Sequence, residues 1–448
     1  MIRRLYAACL FVLLLAPAAW AEDVLKIERV VSPGGIEAWL VHDDAVPVIS
    51  VEFAWRGGTV TDPAGKEGLV RLLGTLLDEG AGELDSQAFQ TRLEDSAIGL
   101  SFSPGADEFG GSLTMLRDQR DEAFELLRLA VTSPRFDADA VRRMKEAAQQ
   151  EIRRQYGSPD WLSRRALFDL VFPTHPYGRP SRGTVESVEA VTPEDMRGWM
   201  RQRIARDNLL IGVAGAITAA ELGPALDRVF AELPAKASPY EIPWAEMQNK
   251  GRTVVVERPL GQAEVVMAQP GLTREDPDYM AAVVMNYILG GGGFRSRLTE
   301  EVREKRGLAY GVSSYLSLWD RAELLMVSTG TVNARVRETL DVVRAEWRRM
   351  AEGGITQAEL DDAKTYLTGS YPLGFTSTGR IAGALLGTQV DRLGIEFLNR
   401  RNDLIQAVTL DDVNRVAKRL LKPDALTTVV VGRPEGVEGE RVTIQPKG

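Results

Sequence analysis

Hydrophobic positions along the chain follow two different periods, and both periods occur in each half of the sequence. Short runs rich in β-branched and aromatic side chains predict strands at 48–55, 253–257 and 264–269. Apolar side chains spaced three and four residues apart predict amphipathic helices at 121–131 and 332–350. Strands and helices therefore alternate within each half, which is typical of layered α/β or α+β domains.

Three segments of the first half recur in the second half, in the same order and at nearly one offset. The matching pairs are 191–196 with 408–413, 209–215 with 426–432, and 97–101 with 309–313. The first pair lies 217 residues apart. The second residue of the segment 191–196 is Thr192, a predicted helix N-cap that is followed by acidic residues. This order and spacing predict an internal duplication.

The boundary between the two predicted domains lies in a segment rich in proline. Residues 233–251 contain Pro234, Pro239 and Pro243 and few periodic apolar positions, as linkers do. With 448 residues, the chain is also too long for one compact core. The predicted limits are a signal peptide at 1–21, a first domain at 22–235, a linker at 236–250 and a second domain at 251–448.

The first 21 residues have the pattern of a secretory leader. Arg3 and Arg4 precede a short apolar run at 7–16, and small side chains at Ala19 and Ala21 suit a signal peptidase. An uncleaved anchor is the alternative, but the run is shorter than the roughly 20 residues that a spanning helix needs. We expect cleavage near Ala21, a periplasmic or secreted protein, and no membrane span after the leader is removed.

Composition narrows the function classes further. The formal net charge of −9, without a basic stripe that contains aromatic residues, argues against nucleic-acid binding. The single cysteine, Cys9, lies inside the leader, so the mature chain can form neither a disulfide nor a cysteine-based zinc site.

A long motif in the second half resembles a known signature. Residues 290–298 read GGGGFRSRL and residues 302–310 read VREKRGLAY. This is similar to the second-half signature of the M16 peptidase family (insulinase, pitrilysin and mitochondrial processing peptidase). Shorter similarities are THPYG at 174–178 followed by Gly183, and the strand that ends at Gly215. The resemblance covers roughly residues 25–435.

The resemblance implies an α+β fold of two homologous α/β domains of the M16 metallopeptidase type, each a β-sheet flanked by helices, duplicated within the chain. In small bacterial members of the family, two chains close around a chamber that holds an unfolded peptide. The duplication found in the sequence fits this architecture independently.

The first half resembles the family's zinc helix, but the metal-binding residues are missing. Residues 68–75 read GLVRLLGT, whereas the family pattern is G-L-A-H-x-x-E-H. The two histidines therefore fall on Arg71 and Thr75, and the glutamate base falls on Gly74. Arginine has no lone pair to donate and glycine has no side chain to activate water. We predict that this chain binds no metal.

The third zinc ligand of the family is a glutamate, and Glu151 matches it best. Alone it cannot recruit zinc, so a solvated or ion-paired carboxylate on a helix is the favoured interpretation. An ion pair between Arg71 and Glu151 in place of the metal is a further hypothesis. His42 and His175 are the only histidines, and we interpret both as structural or surface residues.

Arg303 and Tyr310 are the predicted catalytic contributors. The resemblance implies an arginine and a tyrosine, seven residues apart, that reach across the chamber toward the scissile peptide. Both side chains donate hydrogen bonds, which stabilise charge on a carbonyl oxygen as water attacks. The alternative is an exposed helix charge and a strand aromatic. The glycines at 290–293 lack the sequence of a phosphate loop and predict close backbone contact. Arg295 and Arg297 are interpreted as surface charges.

The leading hypothesis is a catalytically incomplete subunit that hydrolyses peptides only with a zinc-bearing M16 partner, in a shared chamber. Zinc is expected in the partner, and a homodimer is possible when the chain is alone. The alternative is a non-enzymatic peptide-binding or assembly protein of the cell envelope. An independent peptidase with an unusual site is a third, weaker interpretation.

Overall fold

Two six-stranded sheets, one in each half of the chain, form the framework of the protein. They come from a computed structural model that describes residues 24–444, so the predicted leader lies outside the described residues. The strands are β1 Glu28–Val31, β2 Glu37–His42, β3 Val48–Arg56, β4 Gly80–Ala81, β5 Leu84–Asp85, β6 Gly99–Pro104, β7 Glu108–Leu116, β8 Leu209–Gly215, β9 Thr253–Glu257, β10 Gln262–Pro270, β11 Ala309–Trp319, β12 Ala322–Val332, β13 Thr427–Gly432 and β14 Glu440–Val442.

The described residues contain fourteen α-helices, eight in the first half and six in the second. They are α1 Leu69–Gly74, α2 Ser86–Asp95, α3 Arg120–Thr132, α4 Ala138–Gln155, α5 Pro159–Val171, α6 Val185–Glu189, α7 Pro193–Arg203, α8 Ala219–Phe230, α9 Tyr279–Asn286, α10 Val336–Gly353, α11 Gln357–Gly369, α12 Thr378–Val390, α13 Phe397–Ala407 and α14 Leu410–Leu420.

The two sheets share one topology, which confirms the predicted duplication. The first has the order β1-β2-β8-β3-β7-β6, and the second, read from its other edge, is β14-β9-β13-β10-β12-β11. In both, a parallel pair (β2–β8, β9–β13) is followed by an antiparallel neighbour (β3, β10). Only the edges differ, because β1 pairs antiparallel with β2, whereas β14, from the end of the chain, pairs parallel with β9.

Most elements predicted from periodicity lie where the sequence placed them. Thr192 caps α7 with a reciprocal side-chain contact to Asp195, and Thr409 and Asp412 repeat this capping box at α14. The helix predicted at 332–350 begins four residues later, at Val336. Val332 instead pairs with Gln262 as the last residue of β12, and strand pairing takes precedence over helical spacing there.

Each sheet is covered on one face by a helix from the other half of the chain. Helix α5 packs on β9, β10 and β13 of the second sheet, and α12 packs on β2, β3 and β8 of the first. The two helices begin at Pro159 and Thr378, an offset of 219 residues that is close to the offset of the repeat. Buried side chains of each helix join the opposite sheet in one apolar cluster. Each half therefore buries apolar surface of the other, and the two halves are packed together and not merely joined by the linker.

The proline-rich segment between the halves contains neither helix nor strand from residue 231 to residue 252. It nevertheless contacts both halves through its backbone: Ala245 N donates to the Arg321 oxygen (2.8 Å) and Gln248 N to the Val171 oxygen (2.9 Å). The domain limits given above remain predictions. Within residues 24–444, no helix has the length and apolarity needed to cross a bilayer.

The contact between β3 and α12 encloses a carboxyl group. Ser50 on β3 is hydrogen-bonded to Thr378 on α12 (2.8 Å), and Glu52, two residues further along, lies on the same face of the strand. Burial raises the pKa of Glu52 to about 7. A raised carboxyl pKa means that the folded state binds the proton more tightly than the unfolded state.

We therefore expect the free energy of unfolding to fall as pH rises between about pH 5 and about pH 8, since folding then requires ionising a buried group. Glu52→Gln should make this slope shallower, as measured by urea unfolding at both pH values. Part of the slope will remain, because burial also raises the pKa of Glu264 and Glu323 to about 7. The exposed Glu28→Gln is the control. An unchanged slope in Glu52→Gln would contradict the expectation.

Candidate functional site

Helix α1 is fixed in place by a carboxylate and two glycines. The backbone N–H groups of Gly68 and Val70 donate to Asp62 (2.8 and 3.0 Å), so Asp62 satisfies donors at the start of the helix. Burial raises the pKa of Asp62 to about 7. Gly68 has a φ of 93°, and a Cβ there would clash with the backbone oxygen of Arg182. A Cβ on Gly183 would clash with Glu67 in the same way.

The residues at the zinc-ligand positions of α1 do not fit a metal. The Arg71 guanidinium has no lone pair for zinc. A Cβ at Gly74 would lie 2.8 Å from Cγ of Pro104 on β6, so a glutamate base could not enter without displacing that ring. The Thr75 hydroxyl donates to the Leu72 backbone oxygen (2.8 Å). Pro104 thus occupies the space that a catalytic side chain at position 74 would need.

Glu151 on α4 is committed to a neighbour on its own helix. Its carboxylate pairs with Arg154, three residues away, and this hydrogen-bonded pairing lowers its pKa. The hypothesised ion pair between Arg71 and Glu151 is not formed. The guanidinium of Arg71 has no hydrogen bond or ion pair with any residue of the described part of the chain, and its Nε is buried without a partner.

Both histidines have structural contacts, as the sequence indicated. His42 Nδ1 lies 2.9 Å from the Ile217 oxygen, and its Nε2 lies 3.0 Å from Asp44. His175 Nδ1 accepts from the N–H of Tyr177 (3.1 Å), so its Nε2 carries the proton and donates to Pro243 (2.9 Å). Each ring stabilises a turn.

Arg303 and Tyr310 lie together, and an aromatic side chain that sequence reasoning did not assign joins them. The Arg303 guanidinium lies 4.6 Å from the ring centroid of Phe294 and 4.8 Å from that of Tyr310. Phe294 is 72% exposed and Tyr310 87% exposed. The Nε of Arg303 is 3.3 Å from Glu304, while its terminal nitrogens and the Tyr310 hydroxyl bond to no described residue. We call Phe294, Arg303 and Tyr310 the arginine–aromatic cluster.

Irregular backbone produces this cluster. Arg303 lies in a π-helical turn, Thr299–Glu304, and Tyr310 lies in a bulge of β11 where two residues oppose one on β12. Both features are frequent at functional sites because they redirect side chains. Gly290 is close to Ser314 on β11, and a Cβ there would lie 2.5 Å from the Ser314 hydroxyl, so the expected close backbone contact is present.

One expectation for this motif was wrong. Arg297 is buried and not a surface charge: its guanidinium pairs with both oxygens of Glu359 (2.6 and 2.8 Å) and with the Gly354 backbone oxygen. The carboxylate that neutralises it is far away in sequence, so the local pattern could not indicate it. Arg295 is exposed, as expected.

The degenerate helix and the arginine–aromatic cluster do not meet within one chain. Arg71 lines a cavity of about 280 Å³, and none of the three cluster residues lines it. The described residues contain no group of three or more His, Cys, Asp or Glu side chains placed to hold a metal. The arginine–aromatic cluster and the altered metal-site positions therefore share no cavity within the described residues.

Comparisons with known proteins agree with the fold. Residues 190–367 match the family described as Peptidase M16 inactive domain. The non-peptidase homolog YmxG of Helicobacter pylori is 26% identical over 387 residues, which cover 86% of this chain and 89% of the relative. The probable mitochondrial-processing peptidase subunit beta of Schizosaccharomyces pombe is 24% identical over 431 residues, which cover 92% of each chain.

Among solved structures, a peptidase M16 inactive domain from Pseudomonas fluorescens has a TM-score of 0.85 and 27% identity, covering 94% of this chain and 100% of that one. The similarity thus extends across both sheets and both exchanged helices. Residues 190–367 thus match the inactive domain of the M16 peptidase family, and the chain is similar to proteins of that kind over nearly its whole length.

Proposed function

We propose that this chain is an exported, catalytically incomplete M16 subunit that pairs with a zinc-bearing M16 subunit to hydrolyse peptides in a shared chamber. The partner supplies zinc and the general base. This chain supplies Arg303, Tyr310 and half of the chamber wall. The observation that carries the proposal is the arginine–aromatic cluster: the Tyr310 hydroxyl and the terminal nitrogens of the half-buried Arg303 bond to no described residue, although the chain lacks the side chains of a zinc site.

The geometry suits stabilisation of a developing oxyanion. The Arg303 guanidinium makes cation–π contacts with both Phe294 and Tyr310, which favour this position before a substrate arrives. Donors that are fixed in advance stabilise charge in a transition state more effectively than donors that must reorganise. Contiguous exposed aromatic surface is also typical of an interaction site. The fission-yeast relative is named as a subunit, which supports function within an assembly.

Export rests on the leader pattern at 1–21, and we propose a periplasmic or secreted location after cleavage near Ala21. The partner would then be an exported chain with an intact His-x-x-Glu-His helix. A gene for such a chain next to the gene for this one would identify a candidate partner for the experiment.

The test is to mix the purified chain with that zinc-bearing partner and follow cleavage of a quenched fluorescent peptide. We expect the pair to cleave at least about a hundredfold faster than the partner alone, since each oxyanion donor contributes about 3 kcal/mol in a dry site. This chain alone should show no cleavage, and a chelator should abolish cleavage by the pair. Equal rates with and without this chain would contradict the proposal, and chelator-sensitive cleavage by the chain alone would favour an independent peptidase.

A second candidate is a non-enzymatic peptide-binding or assembly protein of the envelope. The name of the Helicobacter pylori relative, a non-peptidase homolog, favours it. Light scattering separates the two functions when combined with the cleavage assay. A stable mixed pair with unchanged peptide turnover supports the second candidate, whereas a mixed pair with enhanced turnover supports the first. A homodimer with no affinity for the zinc-bearing chain also supports the second.

A further inference from the structure

The cavity beside the degenerate metal helix concentrates positive charge in an otherwise acidic protein. It has a volume of about 280 Å³ and is lined by five arginines and no carboxylate. The net charge of the chain is −9, so this clustering is not a consequence of composition. The arginines are Arg71, Arg164, Arg165, Arg179 and Arg182. We call it the arginine cavity.

Three of these arginines have no carboxylate partner in the part of the chain that the structure describes. Arg164 and Arg165 pair with carboxylates one helical turn away on α5. Arg179 donates only to the backbone oxygen of Asp62 (3.3 Å). Arg71 and Arg182 have neither hydrogen bonds nor ion pairs to described residues. No carboxylate of the described residues therefore pairs directly with these three guanidinium groups, although Glu151 attracts Arg182 and Asp62 attracts Arg179 at longer range.

The surroundings of Arg71 disfavour the charged form of its guanidinium. Burial lowers its pKa, and the positive charge of Arg182 lowers it further. Asp62 and Glu108 act in the opposite direction, but neither of them lines the cavity. Arg71 is half-buried, and its buried Nε has no hydrogen-bond partner, so part of the desolvation of its guanidinium is not compensated. Residues that destabilise the free chain are often found in binding sites, where they are needed for function.

The remaining walls define the kind of anion that fits. Trp161, Phe168 and Trp319 supply apolar surface beside the arginines, and Trp319 comes from the second half of the chain. Planar guanidinium groups match carboxylates and phosphates in bidentate geometry. The volume lies just below the usual range for small-molecule sites, so it suits a small anion such as one carboxylate with an adjacent apolar side chain.

We propose that the arginine cavity binds a peptide carboxylate, with Arg71 and Arg182 as its principal ligands and an aromatic or aliphatic side chain against Trp161 and Trp319. The peptide as ligand class rests on the proposed function. The carboxylate can be a peptide C-terminus or an acidic side chain, and the chemistry at the two arginines is the same. The cavity beside the helix that resembles the family's zinc helix would thus hold an anion.

The test uses fluorescein-labelled peptides and this chain alone, without a zinc-bearing partner. One probe is Ala-Ala-Ala-Ala-Phe with a free carboxylate, the second is its C-terminal amide, and the third is Ala-Ala-Ala-Glu-Phe amide. We expect the free acid, the glutamate peptide or both to bind by fluorescence anisotropy, and the neutral amide to bind at least about tenfold more weakly. The free acid alone identifies a C-terminus, and the glutamate peptide alone identifies an acidic side chain.

Arg71→Met and Arg182→Ala should each weaken binding of the preferred peptide by about tenfold to a hundredfold, since each removes a charge-assisted hydrogen bond. Arg201→Ala, an exposed arginine paired with Glu194 outside the cavity, is the control and should leave binding unchanged. Arg71→Met should also raise the unfolding temperature of the free chain, whereas a structural role would lower it.

Two results would overturn the proposal. One is equal binding of the neutral amide and the charged peptides, or binding that does not change in Arg71→Met and Arg182→Ala. The other is binding of inorganic phosphate, followed by tryptophan fluorescence, without binding of either carboxylate peptide. The binding experiment contains no zinc-bearing partner, so a negative binding result does not change the outcome of the cleavage experiment with the mixed pair. A negative cleavage result likewise does not change the outcome of the binding experiment.

Discussion

Arg303→Ala should reduce peptide turnover by the mixed pair by about 100- to 1,000-fold, which corresponds to the loss of one fixed oxyanion donor. The terminal nitrogens of Arg303 bond to no described residue, so they are available to a substrate carbonyl. The substitution should leave KM nearly unchanged, since the interaction is made in the transition state and not in the ground state. Steady-state kinetics of the pair with a saturating zinc-bearing partner gives both parameters.

Three further variants separate catalysis from folding. Tyr310→Phe keeps the ring that contacts Arg303 but removes the hydroxyl donor, so turnover should also fall strongly. Phe294→Ala should have a smaller effect of a few-fold, because one cation–π contact contributes about 0.5–1 kcal/mol at an exposed position. Arg335→Ala, which removes an exposed arginine paired with Glu338, should have no effect. Unchanged turnover in Arg303→Ala would show that the cluster does not act in hydrolysis.

Leu167→Ala and Leu385→Ala should each lower the free energy of unfolding by about 2–5 kcal/mol, the range for truncating a buried leucine. Both side chains are fully buried, and they lie near the middle of the exchanged helices α5 and α12. Leu385 packs in the cluster of the first sheet although it belongs to the second half, and Leu167 packs reciprocally against the second sheet. Each truncation should therefore destabilise both halves in one transition.

Urea unfolding, followed by tryptophan fluorescence and by circular dichroism, measures this effect. Leu373→Ala is the matched control, because that side chain is 66% exposed and its truncation should change stability by less than about 0.5 kcal/mol. Two separate transitions in either core variant, with one half unfolding at the wild-type midpoint, would contradict mutual dependence of the halves.

The sequence predicted which residues form the candidate site better than it predicted the residues that they contact. The substitutions at Arg71, Gly74 and Thr75 are chemical facts that need no structure, since those side chains lack the donors for zinc. The adjacency of Arg303 and Tyr310 followed from a motif. Phe294 was missed because its contact with Arg303 requires a π-helical turn, which no hydrophobic period reveals.

The ion pairs show the same division. The buried pairing of Arg297 with Glu359 spans 62 residues, and the pairing of Glu151 with Arg154 displaced the hypothesised contact with Arg71. Which charged residues form an ion pair depends on their distance and burial in the folded chain. A pattern of charged residues in the sequence determines neither the distance nor the burial. The clustering of arginines around Arg71 likewise requires segments that are far apart in the chain, from α1 to Trp319.

By itself, the sequence determined the duplication, the alternation of strands and helices, and the loss of the metal donors, because periodicity and side-chain chemistry are local properties. Only the tertiary structure decided that α5 and α12 exchange halves, that Pro104 fills the space beside Gly74, and that five arginines share one cavity. These features depend on contacts between residues distant in sequence, which are selected by packing and by charge in three dimensions.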